Sequence, residues 1–264
     1  SDPSLRILEM AEAHGHIPLP PYIKRDDTAS DRERKELEAL IESSRPALTV
    51  NPLVEDHRQQ FARLMMDYAE QENERLRAAR AFIPGIIERQ TKSIEPDPAL
   101  TLLMTHFDID PDTSLDYIEA ELYLRVDGLP PALVATQAAI ESAWGESRFA
   151  IEGNNYFGHQ CYEQGCGIKP KQSKKKALEV RRFETIGDSV AAYYQNINTH
   201  RAYRDLRKLR LDLRTQNQPL TTKALIPTLS RYSELGQKYL RILRSVFRSD
   251  YIQLAQQVEP DAGQ

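Results

Sequence analysis

The chain is 264 residues long, 40% hydrophobic and 28% charged, with a formal net charge of −4. That length suits one large domain or two small ones, and the apolar content is enough to bury a core in a largely helical protein. The acidic balance gives no reason to expect nucleic acid as a partner, and no apolar stretch approaches the roughly 20 residues of a membrane span.

Residues 1–51 read as a poorly defined segment with one short helix. Pro18, Pro20 and Pro21 break its first part, and Asp31 to Ser44 reads as a charged helix ended before Pro46. No signal segment opens the chain, and a leader trimmed ahead of Ser1 is the expectation. Residues 52–96 read as a helical extension. From Pro52 to Gln90 a long polar helix carries Phe61, Leu64, Met65, Tyr68, Leu76 and Ala79 at its apolar positions, and Pro84-Gly85 is expected to interrupt it. Residues 97–264 read as the catalytic unit, with helices at about 97–107, 113–126, 131–145, 187–198, 201–215, 219–230 and 234–256. Within it, Asp108, Asp110, Asp112, Ser114, Asp116 and Glu119 fall at positions 1, 3, 5, 7, 9 and 12 of a calcium-loop template. Thr113 stands where that loop needs glycine, so an acidic loop leading into a helix capped by Asp112, Thr113 or Ser114 is the better reading.

Only 156–184 reads as strand-like: Tyr156 to Cys161, a turn, then Leu178 to Phe183, a β-hairpin in a helical body. The fold class is therefore α+β, mainly helical. Both cysteines lie in Cys161-Tyr-Glu-Gln-Gly-Cys166, a spacing that fits a tight disulfide-bonded turn in an oxidising compartment, two free thiols, or half of a metal site. Zinc would need two more ligands, with His159 the one nearby candidate, and neither a metal nor a cofactor is expected. From Lys169 to Arg214 the chain is basic, through Lys171, Lys174, Lys175, Lys176, Arg181, Arg182, Arg201, Arg204, Arg207, Lys208 and Arg210. A solvated face is the plain reading of that run. A surface approaching an anionic polymer is the sharper one.

The segment that carries chemistry runs from Gly128 to Gly145. Pro130 and Pro131 suit a first helical turn and Gly145 its end, and Glu141 is the one charge between Asp127 and Glu146. Leu133, Gln137, Ile140 and Trp144 share one stripe, Val134, Ala138 and Glu141 the next, so the helix is apolar nearly all round and Glu141 lies near its C-terminal end. Burial and the negative end of the helix dipole both favour the protonated acid. Such a group can protonate a departing sugar oxygen, whereas an ion-paired structural Glu is the plain alternative. Downstream, Gly153-Asn-Asn-Tyr-Phe-Gly158 sets amides around two aromatics, a floor on which a sugar ring can stack.

Ala135 to Gly145, Asn154-Asn-Tyr-Phe-Gly158, Arg182 to Val190 and Asn198-Thr-His-Arg-Ala-Tyr203 together resemble the glucosaminidase family of peptidoglycan hydrolases. Its Bax-type branch is the most similar. It shares an Arg125-Val-Asp127 entry before Pro130, a short Cys…Cys turn, an Asn196 to His200 segment and a Tyr232 to Tyr239 run. The resemblance covers about 120–245, fades through 52–119 and does not reach 1–51. It implies a lysozyme-like catalytic domain with a short β-hairpin lobe that cleaves the β-1,4 bond after N-acetylglucosamine. Glu141 takes the place of the catalytic acid and Tyr203 that of a cleft tyrosine. Gln137, Trp144, Asn155, Tyr156, Phe157, Tyr232 and Tyr239 are expected to bind glycan, although the stripe shared with Leu133 and Ile140 makes core packing the plainer role of Trp144. Many members carry a second Glu in a longer lobe. Here Glu163 or Glu179 could fill that role without matching a motif, and otherwise Tyr203, amides or the substrate's acetamido group would serve.

Peptidoglycan glycan strands are thus the expected partner, in the bacterial cell envelope and specifically the periplasm. Lytic transglycosylase-type cleavage and a non-catalytic wall- or partner-binding module are the alternatives. The N-terminal helices could cover the cleft, buttress the core or dock an envelope protein.

Overall fold

Apolar residues at helical spacing account for most of the architecture. In the computed structural model, residues 27–42, 45–48, 56–171 and 178–257 are described. The expected breaks at Pro18 to Pro21, the helix start at Pro52 and the lysines 174–176 lie outside them. The protein is α+β and mainly helical. Its helices are α1 (Asp27–Glu42), α2 (His57–Thr91), α3 (Pro98–His106), α4 (Leu115–Arg125), α5 (Pro131–Ser142) and α6 (Arg148–Gly153). After three short strands come α7 (Ile186–Thr199), a 3₁₀ turn (Arg201–Tyr203), α8 (Arg204–Thr215), α9 (Thr222–Leu225) with the 3₁₀ turn Ile226–Leu229, α10 (Gln237–Phe247) and α11 (Asp250–Gln257). Two compact units divide the chain, the first of Ser1–Ser43, Asn73–Gly128 and Ile197–Leu220, the second of Ser44–Glu72, Leu129–Asn196 and Thr221–Gln264. The expected segments 52–96 and 97–264 each contribute to both units.

In the first unit α1 packs on α3, and Arg89 holds their ends together. It donates to Glu33 at 2.6 Å and to Asp97 at 2.9 Å, and Asp97 caps α3 through the N–H groups of Ala99 and Leu100. Ser114 caps α4 by accepting from Tyr117. Pro84 does not interrupt α2, contrary to the sequence expectation. Ile83, Ile86 and Ile87 are all buried around it. At roughly 1.5–3 kcal/mol each, that burial outweighs the about 3 kcal/mol a mid-helix proline costs.

The basic run also needs correction. Its second half is only partly a solvated face: Arg201, Lys208 and Arg214 are exposed, but Arg207 and Arg210 are among the most buried side chains described. The 204, 207, 210, 214 spacing lays these arginines along one side of α8, which packs on α4. Arg204 donates to Glu121 at 2.9 Å, Arg214 grips both carboxylate oxygens of Asp127, and Arg210 donates to the carbonyls of Leu124, Asp127 and Gly128. Arg207 donates to the carbonyls of Ile197 and His200. Burial first, then the neighbouring arginines, lower its pKa to about 9.

In the second unit α5 is buried almost all round, at Ala132 through Ala139 and again at Ser142, and it packs against α10 and α11. Its run of alanines lets those helices approach closely. The strand region is a three-stranded antiparallel sheet rather than a hairpin: β1 (Gln160–Cys161) and β2 (Gly167–Ile168) flank a central β3 (Glu179–Arg181). Gly167 makes the third strand feasible, since a Cβ there would lie 2.0 Å from the Val180 carbonyl. A disulfide joins Cys161 to Cys166 across the turn. Reducing it is expected to cost about 2 kcal/mol of stability, as the closed loop is short, a loss readable by denaturant titration of the Cys161→Ser/Cys166→Ser variant.

Candidate active site

Glu141 occupies the last turn of α5, and the helix ends one residue beyond it. Ser142 turns its hydroxyl back to accept from the Gly145 N–H at 2.8 Å, while Ala143, Trp144 and Gly145 follow with φ of 50°, 58° and 80°. Two consecutive left-handed residues other than glycine cost on the order of 1–3 kcal/mol each. They carry Trp144 out of the Leu133–Ile140 stripe on which the sequence reading set it. Its ring meets Phe61 and Tyr251 edge-on, with the Arg58 guanidinium 5.5 Å above it, and it stays half-buried. Gly145 has no room for a side chain, because a Cβ would come within 2.9 Å of the Phe61 ring.

The Glu141 carboxyl has two different sides. Oε1 accepts from the Tyr239 hydroxyl at 3.0 Å, and Tyr239 lies on α10. Oε2 lies beside Gly158, where a Cβ would be 3.6 Å away. Burial raises the Glu141 pKa and the Tyr239 hydrogen bond partly opposes the rise. Among the described residues no second carboxylate or cation is coupled to it. Tyr239 is itself held above the usual phenol range, by burial first and then by Glu141, so it keeps its proton.

Behind this pair stands an aromatic stack. Tyr232 lies parallel to Tyr239 at 5.6 Å, Tyr193 is tilted against Tyr232, and Phe157 stacks on Tyr193 at 4.3 Å. The Tyr232 hydroxyl donates to the Phe157 carbonyl at 3.3 Å. Gln137, fully buried on α5, donates from Nε2 to the Tyr239 hydroxyl at 3.1 Å and accepts at Oε1 from the Tyr193 hydroxyl.

Asn155 holds the loop that carries Gly158. Its Oδ1 accepts from the N–H groups of Gly158 and His159, and its Nδ2 donates to the carbonyls of His159 and Arg181. Two donors and two acceptor sites are an amide's whole capacity, so this buried side chain is committed to backbone. Tyr156 is buried under Phe61 at 6.0 Å, and its N–H donates to the Ser189 hydroxyl. His159 lies edge-on between Phe157 and Phe183, and burial together with Arg181 depresses its pKa to about 4, leaving a neutral imidazole.

The candidate second carboxylates are elsewhere in the same unit. Glu163 is exposed in the disulfide turn. Glu179 accepts from the N–H groups of Gly165 and Gly167, which hold its pKa below the usual range, so its carboxylate closes the turn. With Cys161 and Cys166 it forms the metal-sized cluster found among the described residues, but both sulfurs are spent in the disulfide. Tyr203 belongs to the first unit, buried at the start of α8 beside the His200 ring.

The second unit thus gathers Glu141, Gln137, Phe157, Tyr232 and Tyr239 of the sequence-predicted set. Gly158, Tyr193, Phe61 and Tyr251 complete the surroundings and were not assigned to the site from sequence. Gly158 alone carried a signal, as the glycine closing Asn-Asn-Tyr-Phe-Gly, and its φ of +74° explains that choice of residue.

The family model described as mannosyl-glycoprotein endo-beta-N-acetylglucosaminidase matches residues 119–248. Over 126 residues the chain is 39% identical to Protein bax of Escherichia coli (strain K12), a match covering 48% of this chain and 44% of that relative. No solved structure matches.

Proposed function

We propose, from the premise that residues 119–248 belong to the glucosaminidase family on its Bax-type branch, that the chain is a peptidoglycan hydrolase of the cell envelope. In this reading Glu141 protonates the oxygen of the β-1,4 bond after N-acetylglucosamine. The observation that carries it is the state of Glu141: a desolvated carboxyl with raised pKa, tied down at one oxygen by Tyr239 and with the other lying beside Gly158. General acid catalysis of glycoside cleavage needs an acid still protonated near the working pH.

With Glu163 exposed and Glu179 spent on the turn, the electron-rich partner in this reading is the substrate's own acetamido group. Tyr232 and Trp144, both half-buried, are the aromatic rings offered to sugar. The disulfide fits the periplasm.

Mass spectrometry of peptidoglycan digested by the chain tests the reading. New reducing N-acetylglucosamine ends are expected. Anhydro-muramyl ends would identify a lytic transglycosylase, and strand binding without cleavage at any pH would identify a binding module. Gly158→Ala gives a local check. The methyl group would sit 3.6 Å from Oε2 of Glu141 on a backbone with φ of +74°. It is expected to lower cleavage at least about tenfold by crowding the reacting oxygen, measured as muropeptide release, with a stability loss of about 1–3 kcal/mol from the left-handed backbone.

A further inference from the structure

The buried side of Glu141 ends in a directional chain of hydrogen bonds. The Tyr193 hydroxyl donates to Gln137 Oε1, Gln137 Nε2 donates to the Tyr239 hydroxyl, and the Tyr239 hydroxyl donates to Glu141 Oε1. Gln137 lies four residues before Glu141 on α5 and is fully buried, as is Tyr193. We propose that Gln137 and Tyr193 are positioning residues that aim the Tyr239 proton at Oε1 of Glu141 and so keep the carboxyl proton on Oε2, beside Gly158. The inference rests on Glu141 being the acid.

The direction follows from how many protons each group has to give. A phenol has one proton, while an amide has donors only on nitrogen and acceptors only on oxygen. Once Tyr193 donates to Oε1 of Gln137, Nε2 must face Tyr239. That N–H occupies a lone pair of the Tyr239 oxygen, so the hydroxyl proton has to leave toward Glu141. An oxygen accepting from Tyr239 acts as the carbonyl oxygen of the acid, which sends the acid's own proton to the other oxygen. Without Gln137 the Tyr239 oxygen is open to accept. Glu141 could then turn its proton inward from Oε1, away from any substrate.

Two further features keep the arrangement fixed. Tyr239 remains a neutral phenol because burial and Glu141 both oppose its ionisation. Its ring is clamped parallel to Tyr232, and Tyr193 is stacked on Phe157, so neither hydroxyl swings freely. Chained hydrogen bonds strengthen one another, so the N–H of Gln137 also makes Tyr239 a better donor. Gln137 thereby changes its role from the glycan ligand expected from sequence to a group acting on the acid from behind.

The test uses the full chain with Tyr239→Phe, Gln137→Leu and Tyr193→Phe. It reads the carboxyl titration of Glu141 by carbon-detected NMR, the signal being assigned by its loss in Glu141→Gln. Tyr239→Phe is expected to move the Glu141 titration to higher pH, because a hydrogen bond to the ionised form is lost. Gln137→Leu should move it the same way by less, and Tyr193→Phe by less again. In muropeptide-release kinetics Gln137→Leu is expected to lower kcat about tenfold with KM unchanged, and adding Tyr193→Phe to it should change nothing more. A Glu141 titration unmoved by Gln137→Leu overturns the proposal, as does a raised KM with kcat unchanged, which would make Gln137 a sugar ligand. Tyr193→Phe removes a single hydroxyl and carries the test if Gln137→Leu does not fold. Should the wild-type chain release no muropeptides, the catalytic reading fails by itself, while the titration still reports on the relay.

Discussion

Glu141→Gln is expected to leave the fold intact and reduce glycan cleavage about 10²–10⁴-fold, the usual worth of a general acid. The amide has the same shape and can still accept from Tyr239, but it has no proton to deliver. Activity that needs protonated Glu141 is present below its folded-state pKa and lost as pH rises through it. Because burial has raised that pKa, the alkaline limb of the activity profile should lie at higher pH than an exposed Glu would give. The same displacement acts on stability. A carboxyl whose pKa is raised by folding contributes stability below its unfolded value, and that contribution is lost as pH rises through the folded one. Glu141→Gln should therefore remove part of the alkaline loss, so its melting temperature is expected to hold or exceed that of the parent at alkaline pH. A variant releasing muropeptides at the parent rate would end the assignment of the acid.

Asp127→Ala is expected to cost about 3–5 kcal/mol of stability, the range for breaking a buried ion pair by removing one partner. Asp127 is buried, is gripped by Arg214 through both oxygens, and has Arg210 at 3.9 Å. Burial alone would raise its pKa, but Arg210, Arg214 and Arg80 outweigh burial and hold it below the usual range. Glu121 is held down in the same way, against burial, by Arg125 and Arg204. For carboxylates with depressed folded pKa the stabilisation is present above the unfolded value and disappears as pH falls through the folded one. The first unit should accordingly be acid-sensitive, and Asp127→Ala should flatten that dependence in denaturant titrations between neutral and acidic pH. A loss below about 1 kcal/mol, the level of an exposed pair, would mean that the arginine cluster does not depend on Asp127.

Much of the site was legible because it is local. The lone charge on the apolar stretch from Leu129 to Gly145 marked Glu141, and its desolvation followed from the neighbours' hydropathy. The helix over 131–142, the strand character near 160 and 180 and the tight cysteine turn were readable for the same reason: each depends on residues close in sequence. Trp144 was misplaced because helical periodicity was carried past Ser142. Beyond the left-handed turn there, the ring packs on Phe61 and Tyr251, which are remote along the chain. Pro84 was misread likewise, since burial of three isoleucines is a tertiary matter.

The sequence by itself determined the helical α+β class, the family of residues 119–248 and the position of Glu141 on a helix built for burial. Tertiary structure alone decided what stands behind and beside that acid. Tyr193 and Tyr239 meet Gln137 across 56 and 102 residues of chain, and within the basic run Arg204 reaches Glu121 while Arg210 and Arg214 meet Asp127. Hydrogen bonds and ion pairs of that kind depend on a few tenths of an ångström between distant segments. No spacing along the chain encodes them, so Glu141 was legible as a residue while its two unlike oxygens were not.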